Sequence, residues 1–309
     1  MNDVTEGLIA SKNNPRIKNI RKLRNRAERD QSGLFFVEGI RQVSEAIQTG
    51  AQIEELVVAP QLLTSEFALD LVERERASGT EGLLVAADVF QSISEREHPH
   101  GLGAVLRQSW HSLDDIVPSG DMLWIGLDTV ADPGNLGTIL RTSDSVGGTG
   151  VILIGRTTDP FDPGAVRASM GAIFSQQLVR ASISSLISWV QRHRINVVGT
   201  SPAATVDYQE ITYHGPLLVL MGSERHGLPE ELQQLCDPLV KLPMVGRSDS
   251  LNLSVATAVM LYEIFNQRRH AQAAVPSGVN QGRTSRRSDA SRPARRPPSR
   301  EGSNRRRSG

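Results

Sequence analysis

The stretch MLWIGLDTVADPGNLG, residues 122–137, decides the fold class. Its first six residues form a nearly continuous apolar run, which is typical of a strand that is covered on both faces. Pro133 and Gly134 then mark a turn, and a helical pattern follows at residues 137–146. A buried strand that leads through a tight turn into a helix predicts an α/β fold with a parallel sheet.

The same alternation continues along the chain as far as residue 267. Further apolar runs predict strands at residues 151–154, 196–199, 217–221 and 239–242. Helical patterns follow at residues 163–170, 183–193, 229–235 and 253–267. We therefore expect residues 120–268 to form one parallel-sheet unit with right-handed crossovers.

A smaller α/β unit is predicted ahead of this sheet, at residues 11–107. Its short strands are expected at 34–37, 53–58, 83–86 and 104–106, and its helices at 39–50, 66–77 and 87–93. A first helix with a basic outer face is predicted from the spacing of Ile17, Ile20, Leu23 and Ala27. Residues 108–119 are polar and predict a linker, whereas residues 270–309 have almost no apolar side chains and predict a disordered basic tail.

The charge distribution favours a polyanionic partner. Lysine and arginine together number 34, equal to aspartate and glutamate, yet the basic residues crowd both ends of the chain. Clusters of this kind attract phosphate backbones. The N-terminal residues that we expect to contact a nucleic acid are Lys12, Arg16, Lys18 and Arg29. The alternative for each basic cluster is an ordinary solvated surface.

Other features of the composition argue against several classes of protein. The one cysteine, Cys236, cannot form an internal disulfide and is poor material for a metal site. No apolar run reaches eighteen residues, and residues 1–15 lack the apolar stretch of a signal peptide. We therefore expect a cytoplasmic protein without a membrane span, an export signal or a bound metal.

Three polar segments could carry chemistry. They are DPGNLG at residues 132–137, which precedes Arg141, MGSERHGLP at residues 221–229, and LPMVGRSDSLNLSVA at residues 242–256. Each follows a predicted strand, so all three should meet at the carboxyl edge of the sheet, where ligands bind in such folds. Arg141 is expected about one turn inside its helix. Taken singly, each segment is also explained as a turn or a helix cap, and His226 as a solvated loop histidine.

Taken together, the three segments resemble the signature motifs of the SpoU (TrmH-like) family of RNA ribose 2′-O-methyltransferases. The matching residues form the patterns Asn135-x-Gly137-x-x-x-Arg141, Gly222-Ser223-Glu224-x-x-Gly227-Leu228 and Pro243-Met244 followed by Ser250-Leu251-Asn252-x-Ser254. The resemblance implies S-adenosylmethionine as methyl donor, a C-terminal trefoil knot of the SPOUT type and a homodimer with its active site near the subunit interface. Shorter motifs, including Asn14-Pro15 and Glu38-Gly39, make the first unit look like a ribosomal-protein-L30-like (L30e-like) substrate-binding domain.

The resemblance also implies roles for individual residues. The catalytic positions would be Asn135, Arg141, Glu224, Ser250 and Asn252. The cofactor would lie against Gly222, Leu242 and Leu251, with Met244 and Thr200 nearby. We interpret Arg141 as an electrostatic clamp rather than a base, because a guanidinium is effectively always protonated.

The substrate is predicted less directly than the reaction. RNA choice depends on surface shape and on the first unit, so large-subunit ribosomal RNA is the first expectation and transfer RNA the alternative. A non-catalytic, ribosome-associated RNA-binding protein is a further alternative. A dehydrogenase is disfavoured because Gly134-x-x-Gly137 does not match the dinucleotide-binding pattern GxGxxG.

Overall fold

A computed structural model of the chain describes residues 7–274, which form two β-sheets flanked by helices. The strands are β1 (Leu34–Glu38), β2 (Ile53–Val58), β3 (Gly82–Leu84), β4 (Leu102–Arg107), β5 (Leu123–Asp128), β6 (Gly150–Ile154), β7 (Gln177–Ala181), β8 (Asn196–Thr200), β9 (Val206–Asp207), β10 (Leu217–Met221) and β11 (Leu239–Lys241). The α-helices are α1 (Pro15–Lys22), α2 (Arg26–Ser32), α3 (Ile40–Gln48), α4 (Glu66–Ala77), α5 (Ala87–Ile93), α6 (Pro133–Ser145), α7 (Pro163–Ser169), α8 (Ile183–His193), α9 (Glu230–Gln233) and α10 (Leu253–Ala274).

The first sheet has four strands in the order β1-β4-β2-β3, with β4 antiparallel to both of its neighbours. The single basic helix predicted ahead of it is wrong, because the chain forms two helices there. Leu23 ends α1, and the Asn25 side chain accepts a hydrogen bond from the backbone N–H of Ala27 at 3.0 Å to begin α2. An asparagine N-cap therefore interrupts the apolar spacing, and Ala27 is exposed.

The second sheet has seven strands, all parallel, in the order β7-β6-β5-β10-β8-β11-β9. This confirms the predicted parallel sheet. Two edge strands, β7 and β9, were not predicted. Strand β7 contains two polar residues, Gln177 and the exposed Arg180, and β9 has only two residues, so neither gives the continuous apolar signal of a central strand.

Helix α6 begins earlier than its pattern predicts. The Asp132 side chain accepts a hydrogen bond from the backbone N–H of Asn135 at 2.7 Å and caps a helix that starts at Pro133. Asn135 therefore belongs to the first turn. Arg141 lies about 9 Å further along the helix axis, more than one turn inside, which corrects the predicted placement.

Residues 108–119, predicted as a linker, are packed against the second sheet. The backbone N–H of His111 donates to the carbonyl of Leu178 at 2.8 Å, beside β7. Leu113 and Ile116 are buried, and the indole N–H of Trp189 on α8 donates to the Ile116 carbonyl at 3.1 Å. The segment therefore connects the two sheets and is itself packed against the second one.

Helix α10 continues to Ala274, so the disorder predicted for residues 270–309 is wrong for its first five residues. The rest of that predicted tail lies outside the described residues. Among residues 7–274, no helix is both long and apolar enough to cross a bilayer.

Candidate active site

A cavity of about 400 Å³ lies at the carboxyl edge of the second sheet, above β8, β10 and β11. Its walls come from the loops that follow these strands and from the start of α10. The five predicted cofactor contacts all line it, namely Thr200, Gly222, Leu242, Met244 and Leu251. Two of the predicted catalytic residues, Glu224 and Ser250, line it as well.

The loop after β10 forms a closed turn on one wall of this cavity. Ser223 and Gly227 exchange backbone hydrogen bonds of 3.1 and 2.9 Å, and Gly227 adopts a φ of 66°, in the left-handed region. A Cβ on Gly222 would collide with the backbone of Gly227 and Leu228. Glycine at position 222 therefore lets the two ends of the turn approach each other closely.

Three predicted catalytic residues are joined in one hydrogen-bonded chain. The side-chain amide of Asn252 donates to Oδ1 of Asn135 at 3.0 Å, and the amide of Asn135 donates to Oε1 of Glu224 at 2.9 Å. The backbone N–H of Leu253 also points at Oε1 of Glu224, at 3.4 Å. The carboxylate is thereby held from two sides at the rim of the cavity.

Asn252 also caps α10. Its Oδ1 accepts hydrogen bonds from the backbone N–H of Ser254 at 2.9 Å and from the Ser254 hydroxyl at 2.6 Å. The helix cap considered for this segment is therefore observed, and the same side chain also contacts Asn135. The oxygen of the amide serves the helix, and its nitrogen orients Asn135.

Arg141 stands apart from this arrangement. It is exposed on α6, and among the described residues its side chain neither lines the cavity nor joins the chain from Asn252 to Glu224. Within one copy of the protein, the structure therefore brings together four of the five predicted catalytic residues and leaves Arg141 outside.

Sequence reasoning missed two acidic groups at the carboxyl edge of the second sheet, of which one lines the cavity. Asp249 lines the cavity, and its only signal was its place among the polar residues before Ser250. Asp128 ends β5, where burial raises its pKa even though a hydrogen bond from the Thr129 hydroxyl at 3.2 Å acts in the opposite direction. Thr129 itself has a φ of 52°, a strained conformation for a β-branched residue.

The four predicted RNA contacts differ in their surroundings. Lys18 is exposed, Lys12 lies 3.3 Å from Asp88, and Arg16 pairs with Glu55 and Glu81. The prediction for Arg29 is wrong, because its side chain is buried and pairs with Asp159 in the second unit. A helix pattern cannot distinguish a basic residue on the outer face from one that points into a contact between units.

Two family profiles match the chain. The profile of the SpoU rRNA Methylase family matches residues 122–262, and that of the MRM3-like substrate binding domain matches residues 14–104. Among characterised proteins, the 23S rRNA (uridine(2479)-2′-O)-methyltransferase of Streptomyces viridochromogenes is 34% identical over 80% of this chain and 87% of its own. The 23S rRNA (guanosine(2553)-2′-O)-methyltransferase of Bacillus subtilis is 27% identical over 83% and 98%.

Solved structures agree with these sequence matches. An rRNA methyltransferase from Sinorhizobium meliloti with bound AdoMet has a TM-score of 0.78 and 39% identity, and the match covers 85% of this chain and 97% of that one. AviRb from Streptomyces viridochromogenes in complex with AdoMet has a TM-score of 0.76 and 33% identity, over 83% and 98%.

Proposed function

The chain belongs to the SpoU methylase family, and we propose that it transfers the methyl group of S-adenosylmethionine to a ribose 2′-hydroxyl in large-subunit ribosomal RNA. The observation that carries this proposal is the chain Asn252–Asn135–Glu224 at the rim of a cofactor-sized cavity. The two characterised relatives, which act on 23S rRNA, support the choice of substrate. Because the substrate is ribosomal RNA, we also propose that the protein acts in the cytoplasm.

The cavity suits S-adenosylmethionine in size and chemistry. Its volume of about 400 Å³ lies within the usual range for small-molecule sites, and its walls combine apolar side chains with backbone and hydroxyl groups. We infer that the cofactor lies against Gly222, Leu242 and Leu251, with Thr200 and Met244 at its edges. When bound, it supplies an electrophilic methyl group.

The protein's own task is to align the ribose hydroxyl and to manage its proton. We infer that Glu224 accepts a hydrogen bond from the ribose, and the bonds to its carboxylate from Asn135 and the N–H of Leu253 support this role. Ser250, on the cavity wall, offers a hydroxyl group to the same ribose. The positive charge of Arg141 stabilises the developing alkoxide or the adjacent phosphate.

Arg141 can take that role if two copies pair through α6 and α10, so we propose a homodimer. The two helices pack together, and Val255 and Tyr262 leave about half of their side-chain surface exposed, 49% and 48%, seven residues apart on one face of α10. Arg141 is exposed on the neighbouring helix. Burying this face against a second copy would carry each Arg141 towards the partner's cavity.

We infer two further features from the family. The C-terminal part of the second unit is expected to form a trefoil knot, since the fold matches those of the solved SpoU relatives. The division of labour is expected to follow the two sheets, with residues 11–107 selecting the RNA and residues 120–268 performing the transfer. The match to a substrate-binding profile at residues 14–104 supports this division.

Transfer of radiolabelled methyl groups to unmodified total RNA, separated by size, tests the proposed function. We expect label in large-subunit ribosomal RNA with the wild-type protein and none with Arg141→Ala. Label confined to transfer RNA would contradict the proposed substrate but keep the reaction. Cofactor binding without label in any RNA, free or assembled into ribosomal subunits, would contradict the reaction and favour a non-catalytic RNA-binding protein.

A further inference from the structure

A second hollow lies at the same edge of the seven-stranded sheet, above β7, β6 and β5. It is more open than the cofactor cavity and encloses about 830 Å³. Of the described residues, three charged ones line it, and all are arginines: Arg26 from α2, Arg156 from the loop after β6, and Arg180 from β7. We call this hollow the arginine groove.

The arginine groove and the proposed active site share one connection of the chain. Val130 and Ala131, between β5 and α6, form a wall of the groove. The next residue, Asp132, caps α6, and Asn135 in the first turn of that helix hydrogen-bonds Glu224. The carboxyl edge is therefore divided in two, with the cofactor cavity above β10, β8 and β11 and the groove above β5, β6 and β7.

Two of the arginines are held in place while half of each side chain remains exposed. The guanidinium of Arg180 lies 3.8 Å from the ring centre of Trp110 and 3.4 Å from a carboxylate oxygen of Asp30. Arg26 pairs with the same Asp30 at 3.5 Å and donates to the Thr157 carbonyl at 3.0 Å. Stacking on an aromatic ring leaves the N–H edges of a guanidinium free for another acceptor.

Arg156 contributes a charge that is not taken up by an ion pair within the described part of the chain. It is exposed, and within residues 7–274 its side chain forms neither a hydrogen bond nor an ion pair. Asp30 faces the other two arginines, and the carboxylate of Asp128 lies beside Gly155 on the groove wall. Three guanidinium groups against two carboxylates leave an excess of one positive charge. The groove thus keeps a net positive potential after its internal pairs are counted.

We propose that the arginine groove binds the phosphodiester backbone of the RNA beside the nucleotide to be methylated. This proposal rests on the proposed function. Guanidinium groups match phosphate geometry, and phosphate contacts fix the register and orientation of a bound nucleic acid. The groove reaches from α2 of the first unit to the start of α6, so a strand lying in it would be oriented by both units.

The shape of the groove favours a chain of phosphates over a single small anion. Its charges are spread over three separate elements, and its other lining residues are mostly small or hydroxyl-bearing. Among the residues that line it, no aromatic side chain is available to stack on a base. Backbone recognition without base readout is the mode that such a surface supports.

Arg156→Gln in the full-length protein tests the proposal, because this side chain has no partner between residues 7 and 274 whose loss would disturb the fold. Arg192→Gln is the control, since Arg192 is 60% exposed near the end of α8, at the opposite edge of the sheet. Its ion pair with Asp114, at 3.3 Å, is exposed to solvent and contributes little to the fold. The probe is unmodified 23S rRNA transcribed in vitro, with binding measured over a range of KCl concentrations. Cofactor binding is measured in parallel by calorimetry.

For Arg156→Gln we expect the Kd for RNA to rise roughly 3- to 10-fold and the slope of log Kd against log salt to fall by about 1. The KM for RNA should rise while kcat and cofactor affinity stay unchanged. Arg156→Lys should retain most of the salt slope, since it keeps the charge. Arg192→Gln should behave as wild type.

An unchanged Kd and salt slope for Arg156→Gln, with methyl transfer intact in the wild type, would overturn the arginine groove and leave the proposed function standing. Binding of AMP to the wild type and to Arg156→Gln is measured as well. If Arg156→Gln weakens AMP binding as much as RNA binding, the proposal is also overturned, because a site for a single nucleotide would then explain the arginines. Failure of the wild type to methylate any RNA would overturn the proposed function itself, independently of the Arg156 variants.

Discussion

The Nε of Arg29 lies 2.8 Å from Oδ2 of Asp159, and each side chain is 2% exposed. Arg29 belongs to α2 of the first unit, and Asp159 follows β6 of the second. The same guanidinium donates to the backbone carbonyls of Leu23 and Arg24, at 2.8 Å each. A buried charge with this many partners joins the two units and fixes the break between α1 and α2.

Removing one partner of this pair should destabilise the protein strongly. Arg29→Met leaves the Asp159 carboxylate buried without its counter-charge, and we expect a loss of about 3–5 kcal/mol in the free energy of unfolding, measured by urea denaturation. The double variant Arg29→Met with Asp159→Leu should recover much of this loss. A loss below about 1 kcal/mol for Arg29→Met would show that the pair contributes little.

Asn135→Ala should separate chemistry from cofactor binding. The substitution removes the amide that orients Glu224, so we expect kcat for methyl transfer to fall about 100-fold while the Kd for S-adenosylmethionine changes less than about 3-fold. Asn19→Ala, at an exposed position of α1, is the control and should retain full activity. Equal losses in cofactor affinity and kcat would contradict a role in positioning.

Gly222→Ala should weaken cofactor binding. The added methyl group meets the backbone of Gly227 and Leu228, so the turn after β10 must open, at a cost of about 1–3 kcal/mol. We expect the Kd for S-adenosylmethionine to rise roughly 5- to 150-fold in calorimetry. Gly246→Ala, which adds a methyl group to open space in the loop after β11, should have no effect.

Mixed dimers test whether Arg141 serves the partner's site. Arg141→Ala and Asn135→Ala are each expected to retain at most about 1% of the wild-type rate as homodimers. If Arg141 acts across the interface, a purified heterodimer of the two has one complete site and should recover about half of the wild-type rate. If Arg141 acts within its own subunit, both sites are defective and the heterodimer stays inactive, which would contradict the proposed arrangement.

Cys236 should react slowly with thiol reagents in the folded protein. Burial raises the pKa of its thiol to about 12, so only a small fraction is thiolate at pH 8. We expect the rate of modification to rise about ten-fold per pH unit between pH 7 and 9 and to stay far below the rate in urea. A rate at pH 8 equal to that of the unfolded chain would show that the thiol is accessible.

Sequence motifs predicted which residues belong to the candidate site, but not the hydrogen bonds that join them. Motif order identified Asn135, Glu224 and Asn252, because each stands where a predicted strand gives way to a helix. Their hydrogen bonds, however, span 89 and 117 residues, and no local pattern encodes such contacts. The position of Arg141 relative to the cavity depended on where α6 begins, which the Asp132 cap decides.

The secondary structure, likewise, was predicted only in part. Central strands such as β5 and β10 are covered on both faces, so their apolar runs predicted them directly. The edge strands β7 and β9 did not follow that pattern. The burial of Arg29 was also invisible, because a helical pattern gives the face on which a residue lies but not the neighbour that covers this face.

Asn252 both caps α10 and orients Asn135, so the time at which it is synthesised decides when the candidate active site can form. The ribosome synthesises the chain from its N-terminus, so Asn135 and Glu224 emerge well before the residue that orients the first of them. A nascent chain that has not yet released Asn252 and the start of α10 has neither the helix cap nor the amide that aligns Asn135. The site is therefore completed late in synthesis, after both sheets have all their strands.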